Sequence, residues 1–108
     1  MWVSGSRASS ILFCYLKTLE PNTEFLVPAN VCPVVLAVFI KANIPFILVD
    51  IEDSSLCISR QSVESYAAEN KGNFGLLYVR TFGAMKNLNK WFADLKEQFP
   101  LISLIDDR

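Results

Sequence analysis

Four short apolar runs alternate with four longer stretches of helical periodicity along this 108-residue chain, and that alternation restricts the fold more than any other feature. Ile11, Leu12, Tyr15, Leu16 and Leu19 recur at helical spacing, which predicts a helix over Ser6–Leu19, with Gly5-Ser6 capping its start and Pro21 just past its end. Phe25-Leu26-Val27 predicts a strand over Glu24–Pro28. Val31–Ala42 is apolar nearly all round and reads as a buried helix, with Pro33 in its first turn. Pro45–Val49 predicts a second strand that ends at Asp50, and Ser59–Asn70 a more polar helix turning Val63, Tyr66 and Ala67 inward. Phe74–Val79 predicts a third strand, Asn87–Phe99 an amphipathic helix striped by Leu88, Trp91, Phe92, Leu95 and Phe99, and Leu101–Asp106 a fourth strand. Strands that alternate with helices imply an α/β fold with a parallel sheet and right-handed crossovers. The length leaves room for one domain, residues 1–108.

Composition excludes several classes. The charge is nearly balanced, −1 at neutral pH, and Lys17, Lys41, Lys71, Lys86, Lys90 and Lys96 are scattered, so nothing points to nucleic acid. The longest apolar stretch, Val31–Ile40, is broken by Pro33 and falls short of the roughly 20 residues a membrane span needs. The N-terminus lacks the basic, apolar and small-residue succession of a signal peptide, so a cytoplasmic location is expected. Cys14, Cys32 and Cys57 are odd in number and widely spaced, which suits free thiols in a reducing compartment. The chain has no histidine, hence no imidazole for acid–base work or for binding a metal.

The segments that could carry chemistry sit where strands end, the position of ligands in open parallel sheets. Gly5-Ser6-Arg7-Ala8-Ser9-Ser10 opens the first helix, where small residues and the helix dipole favour an anion, although a plain serine cap explains it as well. Asn30 and Cys32 follow the first strand; a nucleophilic role for Cys32 is disfavoured because no histidine exists to activate it. Asp50, Glu52 and Asp53 follow the second strand and read as solvated loop acids. Arg80 follows the third strand and either holds an anion or pairs with Asp106 or Asp107. Those two neighbours end the fourth strand; strand alternation points them to opposite faces, which argues against a shared-proton dyad.

In succession these segments resemble the DegT/StrS sugar aminotransferases, pyridoxal-phosphate enzymes of the aspartate-aminotransferase fold. The resemblance runs through Gly5-Ser6-Arg7-Ala8-Ser9-Ser10, Phe25-Leu26-Val27-Pro28, Ile44-Pro45-Phe46-Ile47-Leu48-Val49-Asp50-Ile51, Val79-Arg80-Thr81-Phe82-Gly83 and Leu104-Ile105-Asp106-Asp107. It implies a three-layer αβα arrangement with the sheet in the order 2-1-3-4, as the N-terminal part of the large domain. It also implies that the backbone at Arg7 and Ala8, with Ser6, holds the cofactor phosphate, and that Asp107 pairs with the pyridine nitrogen. Cys32 falls where many members place an aromatic that stacks on the ring, and Arg80 where many have histidine. The family's Schiff-base lysine would lie beyond Arg108, and Lys86 and Lys90 stand on the wrong side of Asp107 to replace it.

The resemblance therefore implies part of an aminotransferase acting on nucleotide-linked keto sugars, with an amino donor, in polysaccharide or secondary-metabolite biosynthesis. The chain by itself is expected to be inactive. It is also expected to self-associate, either as the family's homodimer or through the open edge of its fourth strand. A non-catalytic α/β interaction module or a decayed gene product is the alternative. A receiver-like signalling domain fits less well, because its acidic pair would follow the first strand and a phosphoacceptor the third, where this chain has Arg80.

Overall fold

A computed structural model of the chain describes residues 8–69, 74–80 and 88–107. The elements are α1 (Ala8–Leu16), β1 (Glu24–Pro28), α2 (Pro33–Ala42), β2 (Phe46–Val49), α3 (Arg60–Glu69), β3 (Phe74–Val79), α4 (Asn89–Gln98) and β4 (Ser103–Asp107). All strand pairings are parallel, and the sheet runs β2-β1-β3-β4, the order that the resemblance implies. From β1 the chain steps outward to β2, then returns across β1 to β3 and continues to β4. With right-handed crossovers that reversal sends α2 to one face of the sheet and both α3 and α4 to the other.

Burial follows from that order. The interior strands carry side chains that are covered on both faces: Phe25, Leu26 and Val27 in β1, and Leu76 and Leu77 in β3, are at most 1% exposed. Phe25, Val27 and Leu77 pack with Leu16 of α1 and with Val38 and Phe39 of α2. Leu26, Leu76 and Tyr78 pack on the other side with Val63 and Ala67 of α3 and with Trp91 and Leu95 of α4. The edge strands β2 and β4 are only partly covered.

The helix limits differ from the sequence expectation for local reasons. α1 closes at Leu16 rather than Leu19, because the Thr18 hydroxyl donates to the Tyr15 carbonyl at 2.6 Å and the Thr18 and Leu19 amides tighten the chain into three-residue turns. α2 starts at Pro33 rather than Val31, since the Val31 amide turns back to the Pro28 carbonyl at 3.1 Å. It ends on Asn43 in the left-handed conformation (φ 59°), with the Asn43 and Ile44 amides bonding the Ile40 and Phe39 carbonyls. β4 begins at Ser103 and runs through Asp107, one residue further than the pattern suggests, because its register with β3 continues to Val79↔Asp107. One expectation fails: α2 is not buried all round. Val34 is 56% and Ile40 66% exposed, since only the side of α2 toward the sheet and α1 is covered.

Candidate functional site

The carboxyl ends of all four strands lie along one edge of the sheet, and the order of the strands reverses between β1 and β3. The crevice of an open α/β sheet forms at such a point. Two helices begin there on the same face. α2 follows β1 directly, and α1 lies alongside it in the same direction: Ser9, Ser10 and Phe13 of α1 line a shared groove with Val34, Ala37 and Val38 of α2. The first turns of both helices therefore open toward the same edge. Neither helix has an acidic residue in its first turn, so the positive end of each dipole is not neutralised from within.

The loop after β1 is tied down rather than loose. The Ala29 amide donates to the Val49 carbonyl at 2.9 Å, and the Asn30 side-chain amide donates to the Leu56 carbonyl at 3.0 Å. Leu56 sits at φ 57° in a tight turn, where the Glu52 amide reaches the Cys57 carbonyl at 2.8 Å and Ile51 bridges to Ile58. The sequence marks Asn30 only as a residue that follows the first strand. Its tether to Leu56 spans 26 positions, and an asparagine after a strand was its only sequence signal. Cys32 is exposed at the N-cap of α2 in extended backbone, and its thiol makes no cap hydrogen bond.

The acidic pair divides as alternation requires. In register, Tyr78 faces Asp106 and Val79 faces Asp107. Tyr78 belongs to the core under α3 and α4, whereas Val79 packs with the core under α1 and α2. Asp106 accepts a two-pronged bond from Arg80, Nε to Oδ1 at 2.8 Å and Nη2 to Oδ2 at 3.0 Å. The guanidinium is 7% exposed and lies 5.9 Å from the Tyr78 ring centre. Of the pairings left open for Arg80, the structure thus takes the one with Asp106. Burial, and then a hydrogen bond with the Cys57 thiol, push the Tyr78 phenol far above its usual range. Asp107 is exposed on the α1–α2 side, and among the described residues no side chain hydrogen-bonds or pairs with it.

The structure thus places Ala8 at the start of α1, Cys32 at the start of α2 and Asp107 at the end of β4, all at one sheet edge. Ser6 and Arg7 lie outside the described residues, as do Thr81, Phe82 and Gly83. Among the described residues no cluster of histidine, cysteine or carboxylate side chains has metal-binding geometry. The arrangement suits a ligand with an anionic group for the helix N-termini and a protonated nitrogen for Asp107.

No protein-family model matches this sequence, and no curated protein does either. Its fold, however, matches solved structures described as aminotransferases. A Bacillus cereus protein described as a PLP-dependent aminotransferase superimposes over 92% of the chain with a TM-score of 0.77 and 16% identity. A Streptococcus pneumoniae protein described as a sugar aminotransferase, in its PMP form, covers 94% with a TM-score of 0.74 and 15% identity. A DegT/DnrJ/EryC1/StrS aminotransferase from Brucella abortus covers 88% with a TM-score of 0.68 and 16% identity. The chain spans 27%, 29% and 26% of those three structures.

Proposed function

We propose that this chain forms the part of a pyridoxal-phosphate-dependent sugar aminotransferase that receives the cofactor's phosphate and its ring nitrogen, in an enzyme acting on nucleotide-linked keto sugars. The observation that carries this reading is the carboxylate of Asp107, unshared among the described residues and standing on the face where α1 and α2 begin. The neighbours' descriptions as PLP- or PMP-containing aminotransferases support it.

The residues fit such a group in two places out of three. The first-turn amides of α1, from Ala8 through Ser10, present donors to a phosphate without a competing acid, and Ser6 and Arg7 precede them in sequence. Asp107 accepts a hydrogen bond from a protonated ring nitrogen and holds that proton in place. Cys32 borders the same edge but offers no ring to stack. When bound, pyridoxal phosphate supplies an electron sink for the carbon that gains or loses the amino group.

The chain by itself does not transfer amino groups under this proposal. Of its described lysines, Lys17, Lys41, Lys90 and Lys96 are all exposed. Lys41 lies in the last turn of α2, away from the site edge, and Lys90 begins α4 on the opposite face. Under this proposal none of these four serves as the lysine of the chemistry, and Lys71 and Lys86 lie outside the described residues. A cytoplasmic setting agrees with three free thiols, and no helix among the described residues is long and apolar enough to cross a membrane.

Pyridoxamine phosphate fluorescence tests the reading, because this form of the cofactor needs no lysine. The wild-type chain should bind it. Asp107→Asn should weaken binding by about 1.5–3 kcal/mol, or about ten- to hundredfold, the usual worth of a hydrogen bond to a charged partner. Equal binding by the two proteins refutes the assignment, and amino transfer by the isolated chain refutes its inactivity. A non-catalytic module that docks onto another protein is the second reading. The exposed Val34 and Ile40 of α2 and Leu48 of β2 favour it, and a chain that binds no pyridoxamine phosphate but holds a protein partner would establish it.

A further inference from the structure

β4 ends at an edge, paired only with β3 among the described residues, and ends there in two adjacent carboxylates. Such an end is the part of a sheet most prone to fray, and the like charges add to that tendency. Arg80 counters it through two separate attachments. Its backbone amide donates to the Asp107 carbonyl at 3.0 Å. Its guanidinium takes both oxygens of Asp106, at 2.8 and 3.0 Å, while lying against Tyr78 on the α3–α4 side. The main chain on one side of the Asp107 Cα atom and the side chain of the preceding residue are thus held by a single side-chain-and-backbone unit. A flexible ammonium would supply one bond where this planar fork supplies two.

We propose that Arg80 is the positioning residue for Asp107: it locks the end of β4 and ties the Asp106 carboxylate to the opposite face, so that of these two acids only Asp107 presents its charge to the cofactor ring. The part concerning the ring rests on the function proposed above; the part concerning the strand end does not. The arrangement has an electrostatic consequence. With Asp106 paired to the guanidinium, the end of β4 offers one unshared carboxylate among the described residues to one protonated ring nitrogen. A second unshared carboxylate at the same strand end would oppose the phosphate that α1 is built to receive.

Amide hydrogen exchange and pyridoxamine phosphate binding test the two parts separately. The proteins are the wild type, Arg80→Gln, Arg80→Lys and Asp106→Asn. In Arg80→Gln and Asp106→Asn the exchange of residue 80's amide should speed up by about tenfold relative to Leu76 and Leu77 in the same strand, because a local opening is released without global unfolding. Arg80→Lys should fall between, and it carries the same comparison if Arg80→Gln does not fold. Affinity for pyridoxamine phosphate should fall about tenfold in Arg80→Gln but show no further fall when that change is added to Asp107→Asn. Exchange at residue 80 that stays in step with Leu76 overturns the positioning role. Released exchange with undiminished pyridoxamine phosphate affinity overturns its link to the ring. Released exchange in a wild-type background that binds no pyridoxamine phosphate leaves Arg80 as the holder of Asp107 and removes the cofactor reading instead.

Discussion

Gly75→Ala is the substitution that most directly tests the packing beneath the candidate site. Phe25 and Gly75 are register partners on β1 and β3, the two strands that flank the reversal in strand order. The Phe25 ring lies where a side chain at position 75 would stand: a Cβ there would be 2.4 Å from Phe25 Cζ and 2.5 Å from each Cε. Carbon atoms in contact prefer about 3.5–4.0 Å, so the ring would have to retreat by about 1 Å. It has nowhere to go. Phe25 is fully buried, its ring centre is 5.2 Å from that of Phe39, and Phe39 in turn lies 5.8 Å from Phe46. Overpacking of this kind costs about 1–3 kcal/mol, and the reduced freedom of the unfolded chain on replacing glycine returns about 0.4–1 kcal/mol. The expected net loss is about 1–2 kcal/mol. With a urea dependence of about 1–2 kcal/mol per molar for a chain of this size, the midpoint should fall by about 1 M.

Urea titration followed by tryptophan fluorescence measures this, since Trp91 is 5% exposed and gains water on unfolding. The control is Phe25→Leu, which removes the three ring atoms that a new Cβ would meet. Gly75→Ala made on top of Phe25→Leu should cost nothing or stabilise, giving a coupling of at least about 1 kcal/mol between the two positions. An equal cost of Gly75→Ala in both backgrounds, or an unmoved wild-type midpoint, would rule out the clash with Phe25.

Two further outcomes follow from the described side chains. The Tyr66 hydroxyl donates to Glu24 Oε1 at 2.8 Å, and burial followed by that bond pushes its pKa from 10.0 up to about 12. Above pH 10 the unfolded chain releases a proton that the folded chain retains, so stability should be level below pH 10 and fall as pH rises toward 12. Tyr66→Phe should flatten part of that fall in urea titrations across this range, and an unchanged slope refutes the assignment. Self-association is the other. Neither β2 nor β4 has an outer neighbour among the described residues, and β2 also exposes Ile47 by 38% and Leu48 by 49%. Sedimentation velocity should therefore show a mass that rises with concentration and that Leu48→Lys shifts toward monomer, whereas a wild-type chain that stays monomeric throughout rejects it.

The sequence carried the elements well because each strand type leaves its own mark. Phe74–Val79 had to be apolar on both faces to lie inside a parallel sheet, and its residues through Tyr78 are buried. What covers an apolar surface is not written in the surface itself, which is why α2 read as buried although Val34 and Ile40 face outward. Long-range partners were equally silent. Alternation separated Asp106 from Asp107, but Arg80's choice of Asp106 depends on the β3–β4 register, which no local pattern encodes. A glycine within a strand hints at a close approach; that the approaching group is Phe25 follows only from the β1–β3 pairing. Leu56 at φ 57° has no sequence signal at all, since leucine carries no preference for that region.

The same register explains how two adjacent acids at one strand end serve different purposes. A slip of β4 by one residue against β3 would exchange every side chain between the two faces. Asp106 would then stand over α1 and α2, and Asp107 would lie toward α3 and α4. Arg80 opposes that exchange, because its amide meets the Asp107 carbonyl and its guanidinium meets the Asp106 carboxylate only in the observed alignment. Leu104 on one face and Ile105 on the other set the same alignment from within, each packing against its own core cluster. The apolar pattern of β4 selects the faces, and the part-buried ion pair at its end penalises the alternative by the loss of both Arg80–Asp106 bonds. Which acid faces the helix N-termini is therefore decided by the sheet, before any ligand arrives.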